Sequence, residues 1–270
     1  MALTLSSIVR RKRPAFKGRP VMMSGMSLLA TWTRGEHAAD AVTHPTYTKG
    51  SGTGVIVIHE IPGMTPEVIG FAEEVVARGH TVVMPQLFGG PEVGMGPRAV
   101  VKTVAQVCVS KEFTKLVAGE TSPVANWLRS LARSLHAAAG GPGVGAVGMC
   151  FTGGFALAMM VDKSVVAPVV AQPSLPAAIG RRRSADLGLS PADLDAVKRR
   201  AAAGCPVLGL RYAADKATGT RFDTLSRELG DAFIAVEFAG KGHSTLTEQR
   251  QQEGVDRVLD FFDERLSTIA

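Results

Sequence analysis

Three residues of the chain have the types and the order that nucleophilic catalysis requires. Cys150 lies in "GMCFTGG", between glycines at the point where an apolar run ends. Asp215 follows "VLGLRY", and His243, the only histidine after Cys150, follows "AFIAVEF". A thiol nucleophile needs a base, and that base needs an acid that orients it. Because Asp215 and His243 each come just past one of two consecutive predicted strands, the sequence predicts a Cys-Asp-His triad.

The stretch from Gly148 to Gly154 predicts a sharp turn from a strand into a helix. It is similar to the G-x-S-x-G pattern of a nucleophile elbow, with cysteine in the serine position. Glycines are needed there because neighbouring main chains crowd the strained turn. The sulfur would lie over the sheet edge at the amino end of a helix, whose dipole favours a thiolate. Thr152 is one residue more than the strict five-residue pattern contains.

Cys150 and the glycine-rich stretch around it have two other interpretations. Free cysteine is among the most buried residue types, and this structural role is expected of Cys108 and Cys205, which have no elbow around them. The stretch from Gly143 to Gly148 matches G-x-G-x-x-G, but its glycines precede or lie within the predicted strand instead of following it. The next strand ends in Gln172 and not in an acid, so a nicotinamide-dependent reductase is disfavoured.

The elements that must position the triad alternate between strand and helix. Strands are expected at "VIVIH", "HTVVMPQ", "GAVGMC", "SVVAPVVAQ", "PVLGLRY" and "AFIAVEF". Helices are expected from the Thr65 cap to about Arg78, at "VKTVAQVCVSKEF", at "FALAMMV", and from about Glu248 to Leu266. The pattern predicts an α/β fold with a doubly wound, mostly parallel sheet.

A helical excursion is expected at about residues 173–204, over the carboxyl ends of the strands, where such folds bind ligands. Within it Ser190 is the predicted N-cap of a helix, with Asp193 completing a capping box. The main-chain N–H groups of Phe151 and Ile61 are the expected oxyanion hole, since one follows the nucleophile and the other lies in the turn after an early strand.

Composition and charge narrow the class of protein. The chain is 46% hydrophobic and 20% charged, which is typical of a globular protein. The net charge of +6 comes from six basic residues among the first 19, and 24 basic and 24 acidic residues remain beyond them. A nucleic-acid partner is therefore not expected. Residues 1–25 are predicted to be a basic, disordered leader, and residues 26–270 a single domain.

The cysteines suggest the compartment and the chemistry. Three scattered cysteines are typical of a reducing, cytoplasmic location, and they lack the spacing of a metal site. No apolar run reaches about 18 residues, so no membrane partner is expected. We expect a cofactor-free, metal-free protein that acts on a small molecule as a monomer or small homo-oligomer.

The segments "VIVIHEIPGM", "GMCFTGG", the Asp215 strand end and "GHS" at His243 resemble the dienelactone hydrolase family of α/β-hydrolases, over roughly residues 50–266. The resemblance implies a Cys150-Asp215-His243 triad and hydrolysis of lactones or small carboxylic esters. It also implies that Glu60, at a strand end, keeps the resting thiol from ionising until substrate arrives. A hydrogen bond that stabilises the fold is the competing interpretation of Glu60.

The best-known members of the family bind a substrate carboxylate through arginines, and the candidate anion-binding residues here are Arg98, Lys111 and Arg181. The family's usual elbow is G-x-C-x-G-G, so Thr152 is an insertion relative to it. The leading hypothesis is a hydrolase with an acyl-enzyme on Cys150. The alternative is a non-catalytic binding module with the α/β-hydrolase fold.

Overall fold

A computed structural model describes residues 26–110, 113, 121–175 and 180–267 of the 270-residue chain. These residues are organised around an eight-stranded sheet. The strands are β1 (Thr33–Ala39), β2 (Val42–Lys49), β3 (Gly54–Ile58), β4 (Thr81–Pro85), β5 (Val144–Met149), β6 (Val165–Ala171), β7 (Val207–Tyr212) and β8 (Phe233–Phe238). The helices are α1 (Pro66–Ala77), α2 (Pro97–Val109), α3 (Pro123–Ala139), α4 (Gly153–Met159), α5 (Arg181–Ser184), α6 (Pro191–Ala202), α7 (Arg221–Leu229) and α8 (Gln252–Leu266).

The sheet has the strand order β1-β2-β4-β3-β5-β6-β7-β8. The six strands from β3 to β8 run parallel to one another, whereas β2 pairs antiparallel with both β1 and β4. The carboxyl ends of the parallel strands therefore meet at one edge. This arrangement confirms the predicted fold class, an α/β fold with a mostly parallel sheet.

Both faces of the sheet are covered, which explains the nearly unbroken apolar strands. Along β3, Val55 and Val57 pack into the core that α1 and α8 cover, whereas Ile56 and Ile58 pack into the core beneath α3 and α4. All four side chains are fully buried. Successive side chains of a strand point to opposite faces of the sheet. Because helices cover both faces, each of these four side chains enters one of the two cores and none faces water.

Two helices begin at the side-chain caps that the sequence predicts. Thr65 caps α1 with its side chain, and Ser190 caps α6 in the same way, as expected. The carboxylate of Asp193 does not complete the predicted capping box. It accepts a hydrogen bond from Thr121 Oγ1 at 2.6 Å and lies 3.0 Å from the Arg129 guanidinium, so it ties α6 to the start and middle of α3.

The structure differs from the sequence predictions at several elements. The hairpin β1–β2 and helix α3 were not predicted. Helix α2 begins at Pro97, earlier than expected, and α8 begins at Gln252 and not near Glu248. The predicted excursion at 173–204 contains α5 and α6 among its described residues, and the predicted leader at residues 1–25 lies outside the described part of the chain. Within the described ranges, no helix is both long and apolar enough to cross a membrane.

Candidate active site

Cys150 occupies a strained turn at the carboxyl end of β5. Its φ is +53°, in the left-handed region that non-glycine residues rarely adopt, and a short 3₁₀ turn (Cys150–Thr152) leads from it into α4. This is the strand-to-helix geometry of a nucleophile elbow. Strain of this kind persists only where the surrounding structure holds it in place, and such positions cluster at functional sites.

The glycines around Cys150 allow close approach of neighbouring chains. A Cβ on Gly148 would lie 2.1 Å from the main-chain oxygen of Thr152, and one on Gly154 would lie 2.9 Å from that of Leu187. A Cβ on Gly153 would lie 2.9 Å from the Cβ of Pro173. The turn is therefore too tight for any side chain at these positions.

Thr152, the additional residue of the elbow, holds the turn together. Its fully buried hydroxyl accepts a hydrogen bond from the Met149 N–H at 2.9 Å. The same hydroxyl donates toward the main-chain oxygens of Met149, at 2.9 Å, and Ile58, at 3.2 Å. The hydroxyl of Thr152 thus closes the turn and joins it to the end of β3.

Asp215 and His243 are bonded to each other, each just past the end of its strand. His243 Nδ1 donates to Asp215 Oδ2 at 2.8 Å, and Thr218 Oγ1 donates to the same oxygen at 2.6 Å. The other oxygen accepts from the Ala217 N–H at 2.9 Å. Burial alone would raise the pKa of Asp215, but the hydrogen bonds from His243 and Thr218 hold this pKa below its ordinary value.

The electrostatics of His243 are set by two partners. Burial alone would lower the pKa of His243, but the hydrogen bond to Asp215 and the adjacent Cys150 raise it to about 10. Because Nδ1 is engaged by Asp215, Nε2 is the nitrogen that remains for the thiol. The Cys150 sulfur also lies 3.1 Å from Ser174 Oγ, a contact that the sequence analysis did not predict.

Glu60 lies directly after β3 and is almost completely buried. Ser244 Oγ donates to its Oε2 at 2.9 Å, and Thr247 Oγ1 donates to its Oε1. Burial raises the pKa of Glu60, although both hydroxyls and the charge of His243 oppose the increase. These two hydroxyls lie in the loop between β8 and α8, and no sequence pattern marks them as partners of Glu60.

The neighbour of Glu60 holds its main chain in place. His59 Nδ1 donates to the Glu60 carbonyl at 3.1 Å, and Nε2 accepts from the Leu87 N–H at 3.1 Å. The ring packs edge-on against Phe88. Complete burial lowers the pKa of His59 to about 4, so a neutral imidazole ties the end of β3 to the segment after β4.

Cys150, His243 and Glu60 line one cavity of about 540 Å³, a size suited to a small molecule. Phe151 and Ile61, whose N–H groups are the predicted oxyanion hole, also line it. The structure therefore brings these predicted residues together at the carboxyl edge of the sheet. Asp215 lies behind His243.

The three candidate anion-binding residues are not assembled at this cavity. Arg98 is exposed on α2 and does not line the cavity. Lys111 lies outside the described residues. Arg181 is the first residue of α5, where only the main chain is described. Within the described ranges, no group of three or more histidine, cysteine, aspartate or glutamate side chains has the geometry of a metal site.

Solved structures with the same architecture define the class of protein. A dienelactone hydrolase from Anabaena variabilis is 14% identical, with a TM-score of 0.61 over 87% of this chain and 98% of that one. A cold-adapted esterase from an Arctic intertidal metagenomic library is 18% identical, with a TM-score of 0.55 over 87% and 93% of the two chains. An esterase from Rhizomucor miehei is 13% identical, with a TM-score of 0.52 over 87% and 83%. The fold is that of the α/β-hydrolases.

The family follows from the sequence itself. The model of the dienelactone hydrolase family matches residues 41–265, so the chain belongs to that family. It is an ester-bond hydrolase that acts on a small molecule. No curated protein matches the sequence.

Proposed function

We propose that the protein hydrolyses lactones or small carboxylic esters through an acyl-enzyme on Cys150, with His243 and Asp215 as base and orienting acid. The observation that carries the proposal is the strained Cys150 elbow on the wall of a cavity that also receives the Asp215-bound imidazole of His243. Family membership gives the reaction class, and this arrangement supports the assignment of the three residues.

Acylation begins with proton transfer from the thiol to Nε2 of His243. The thiolate attacks the carbonyl carbon, a C–S bond forms, and the carbonyl electron pair moves onto oxygen. The N–H groups of Phe151 and Ile61 are the donors we assign to this oxyanion. As the carbonyl re-forms, the C–O bond to the leaving group breaks, and His243 gives its proton to the departing oxygen.

Deacylation uses the same groups in the reverse order. Neutral His243 takes a proton from water, the resulting hydroxide attacks the thioester carbonyl, and the C–S bond breaks. The carboxylic acid leaves, and Cys150 recovers its proton. Asp215, held by Thr218 and the Ala217 N–H, keeps Nδ1 protonated throughout and stabilises the imidazolium.

Glu60 and Ser174 act on the resting thiol. Glu60 is a buried carboxyl with a raised pKa that lines the same cavity, and we assign to it the role of holding a proton near the resting sulfur. The Ser174 hydroxyl lies within hydrogen-bond distance of the sulfur and orients it before substrate enters.

The test is the loss of both activity and thiol reactivity in Cys150→Ala. This variant should hydrolyse p-nitrophenyl butyrate at the uncatalysed rate. Cys108 is exposed and should also react with iodoacetamide, whereas Cys205 is buried. Labelling is therefore compared in a Cys108→Ala background. In that background one equivalent of label should be incorporated, and Cys150→Ala should remove it.

Cys108→Ala alone is the matched control, since it removes a thiol that does not line the cavity, and its kcat/KM should equal that of the wild type. Full esterase activity in Cys150→Ala would contradict the proposal.

A further inference from the structure

We infer that the cavity accepts an uncharged, apolar acyl group and that Glu248, at its rim, selects against substrates that carry a second carboxylate. The inference rests on the proposed function and specifies its substrate class.

The wall of the cavity beside Cys150 is apolar. Its members come from the turn after β3, from α2 and the segment before it, from the elbow, and from the segment after β6. They are Ile61, Met95, Val100, Val104, Phe151 and Leu175. A surface of this kind gains free energy by contact with hydrocarbon and offers nothing to a charged group.

The ionisable side chains on the described lining of the cavity are mostly acidic. Glu60 and Glu248 both line it, and among the described residues neither a lysine nor an arginine does. His243 is the cation of the site, but its charge is matched by Asp215, with which it shares a hydrogen bond. Arg221, a buried guanidinium bonded to main-chain oxygens, interacts with the charge of Cys150 but does not line the cavity. On the described lining itself, a substrate carboxylate would therefore meet two acidic side chains and, apart from His243, no cation.

Nearby basic residues are directed elsewhere. Val100 and Val104 place one face of α2 on the cavity. Arg98 and Lys102 each lie two residues from Val100, which is about 200° around the helix, so they lie on the opposite, exposed face. Arg250, two residues after Glu248, is occupied by Glu74, with its Nη2 at 2.7 Å from Glu74 Oε2.

Glu248 is the residue that can be tested. Its side chain is exposed, and no ion pair joins it to another described residue. Removal of its charge should weaken the repulsion of an anionic substrate roughly threefold to tenfold, as expected for two partly solvated charges several ångströms apart. The effect should decrease at high ionic strength.

The experiment compares two esters that differ in the terminal group of the acyl chain, a methyl or a carboxylate. Each rate is corrected for hydrolysis without enzyme, which the carboxylate of the second ester assists. p-Nitrophenyl valerate and mono-p-nitrophenyl glutarate have the same leaving group and the same number of acyl carbons. We expect wild-type kcat/KM to favour the valerate by about thirtyfold or more. Glu248→Gln should reduce this ratio about threefold to tenfold, and Glu248→Lys should reduce it further.

Asp231→Asn is the matched control. It makes the same change of charge at an exposed residue before the amino end of β8, at the opposite end of that strand from His243. Its ratio should equal that of the wild type.

Three outcomes have distinct meanings. Equal or faster hydrolysis of the glutarate by the wild type overturns the inference and leaves the proposed function intact. An unchanged ratio in Glu248→Lys overturns the role of Glu248. Absence of hydrolysis of both esters overturns the proposed function and the inference together.

Discussion

At the scale of single residues, the role proposed for Cys150 depends on partners that are distant in sequence. A cysteine is by itself more often a small buried residue than a nucleophile. Cys205 fits that description: it is buried, and its thiol donates only to main-chain oxygens of β6. Cys150 differs because a strained turn exposes it to a cavity that it shares with His243.

The raised pKa of His243 predicts a pH profile that depends on the leaving group. Burial lowers this pKa, but Asp215 and Cys150 raise it to about 10, so the imidazolium that forms when Nε2 takes the thiol proton is retained up to about pH 10 and is lost above it. An ethyl ester needs that proton on its departing oxygen, whereas p-nitrophenolate leaves without one. Above pH 10, kcat/KM should fall steeply for the ethyl ester and much less for the p-nitrophenyl ester.

The measurement is a pair of pH–rate profiles from about pH 6 to pH 11, with circular dichroism at each pH to show that the protein stays folded. Parallel profiles for the two esters would argue against His243 as the general acid.

At the scale of elements, the turn from β5 to α4 is the feature that exposes the thiol. Its glycines permit close contacts with Thr152, Pro173 and Leu187, and the Thr152 hydroxyl closes the turn. The insertion relative to the usual G-x-C-x-G-G spacing therefore has a structural role.

Thr152→Val should weaken the elbow, because it keeps the shape of the side chain and removes the hydroxyl. A buried N–H loses its acceptor, and the main-chain oxygens of Met149 and Ile58 lose the one O–H donor that they share. We expect a loss of about 1–3 kcal/mol in the free energy of unfolding, measured by urea titration, and a lower kcat. Thr152→Ser keeps the hydroxyl and should retain most of both. Equal effects of the two substitutions would show that the hydroxyl is not what holds the turn.

Elements with strong local signals could be predicted from the sequence, and others could not. Strands buried on both faces, such as β3 and β6, are short apolar runs between turns. The hairpin β1–β2 has no such signal, because β1 is mostly exposed and β2 contains Pro45. Its turn uses Asp40 and Ala41, both with positive φ, where the sequence signal would be Asn-Gly or Asp-Gly.

At the scale of the whole molecule, the site is assembled from strand ends that are far apart in sequence. The order nucleophile, acid and histidine along the chain predicts that Cys150, Asp215 and His243 lie close together. Each follows a strand, and parallel strands all end at the same edge of the sheet. Ser174, Ser244, Thr247 and Thr218 could not be found in this way. Hydroxyl residues are common in loops, and only the fold reveals which ones lie against a sulfur or a carboxylate.

Glu60 links this assembly to global stability. Its folded-state pKa is raised by burial, so the stability associated with its protonated form is present below its ordinary pKa and is lost as the pH rises. Relative to the wild type, Glu60→Gln should therefore gain free energy of unfolding as the pH increases from 4 to 8, while its esterase activity falls.

Urea titrations at several pH values and parallel assays of kcat/KM test this trade-off. Glu73→Gln is a control, since Glu73 pairs with Lys49 near the surface, far from the cavity wall. A stability difference that does not vary with pH would show that Glu60 is ionised as easily in the folded chain as in the unfolded one.

The central claim is that the acyl group passes through Cys150, and rapid acid quench followed by peptide mass spectrometry tests it most directly. With p-nitrophenyl butyrate in excess, the peptide that contains Cys150 should carry one butyryl group during turnover, and Cys150→Ala should carry none and be inactive. An acyl group on a residue other than Cys150 during turnover would contradict the account. So would the absence of any acylated peptide together with wild-type kcat/KM in Cys150→Ala.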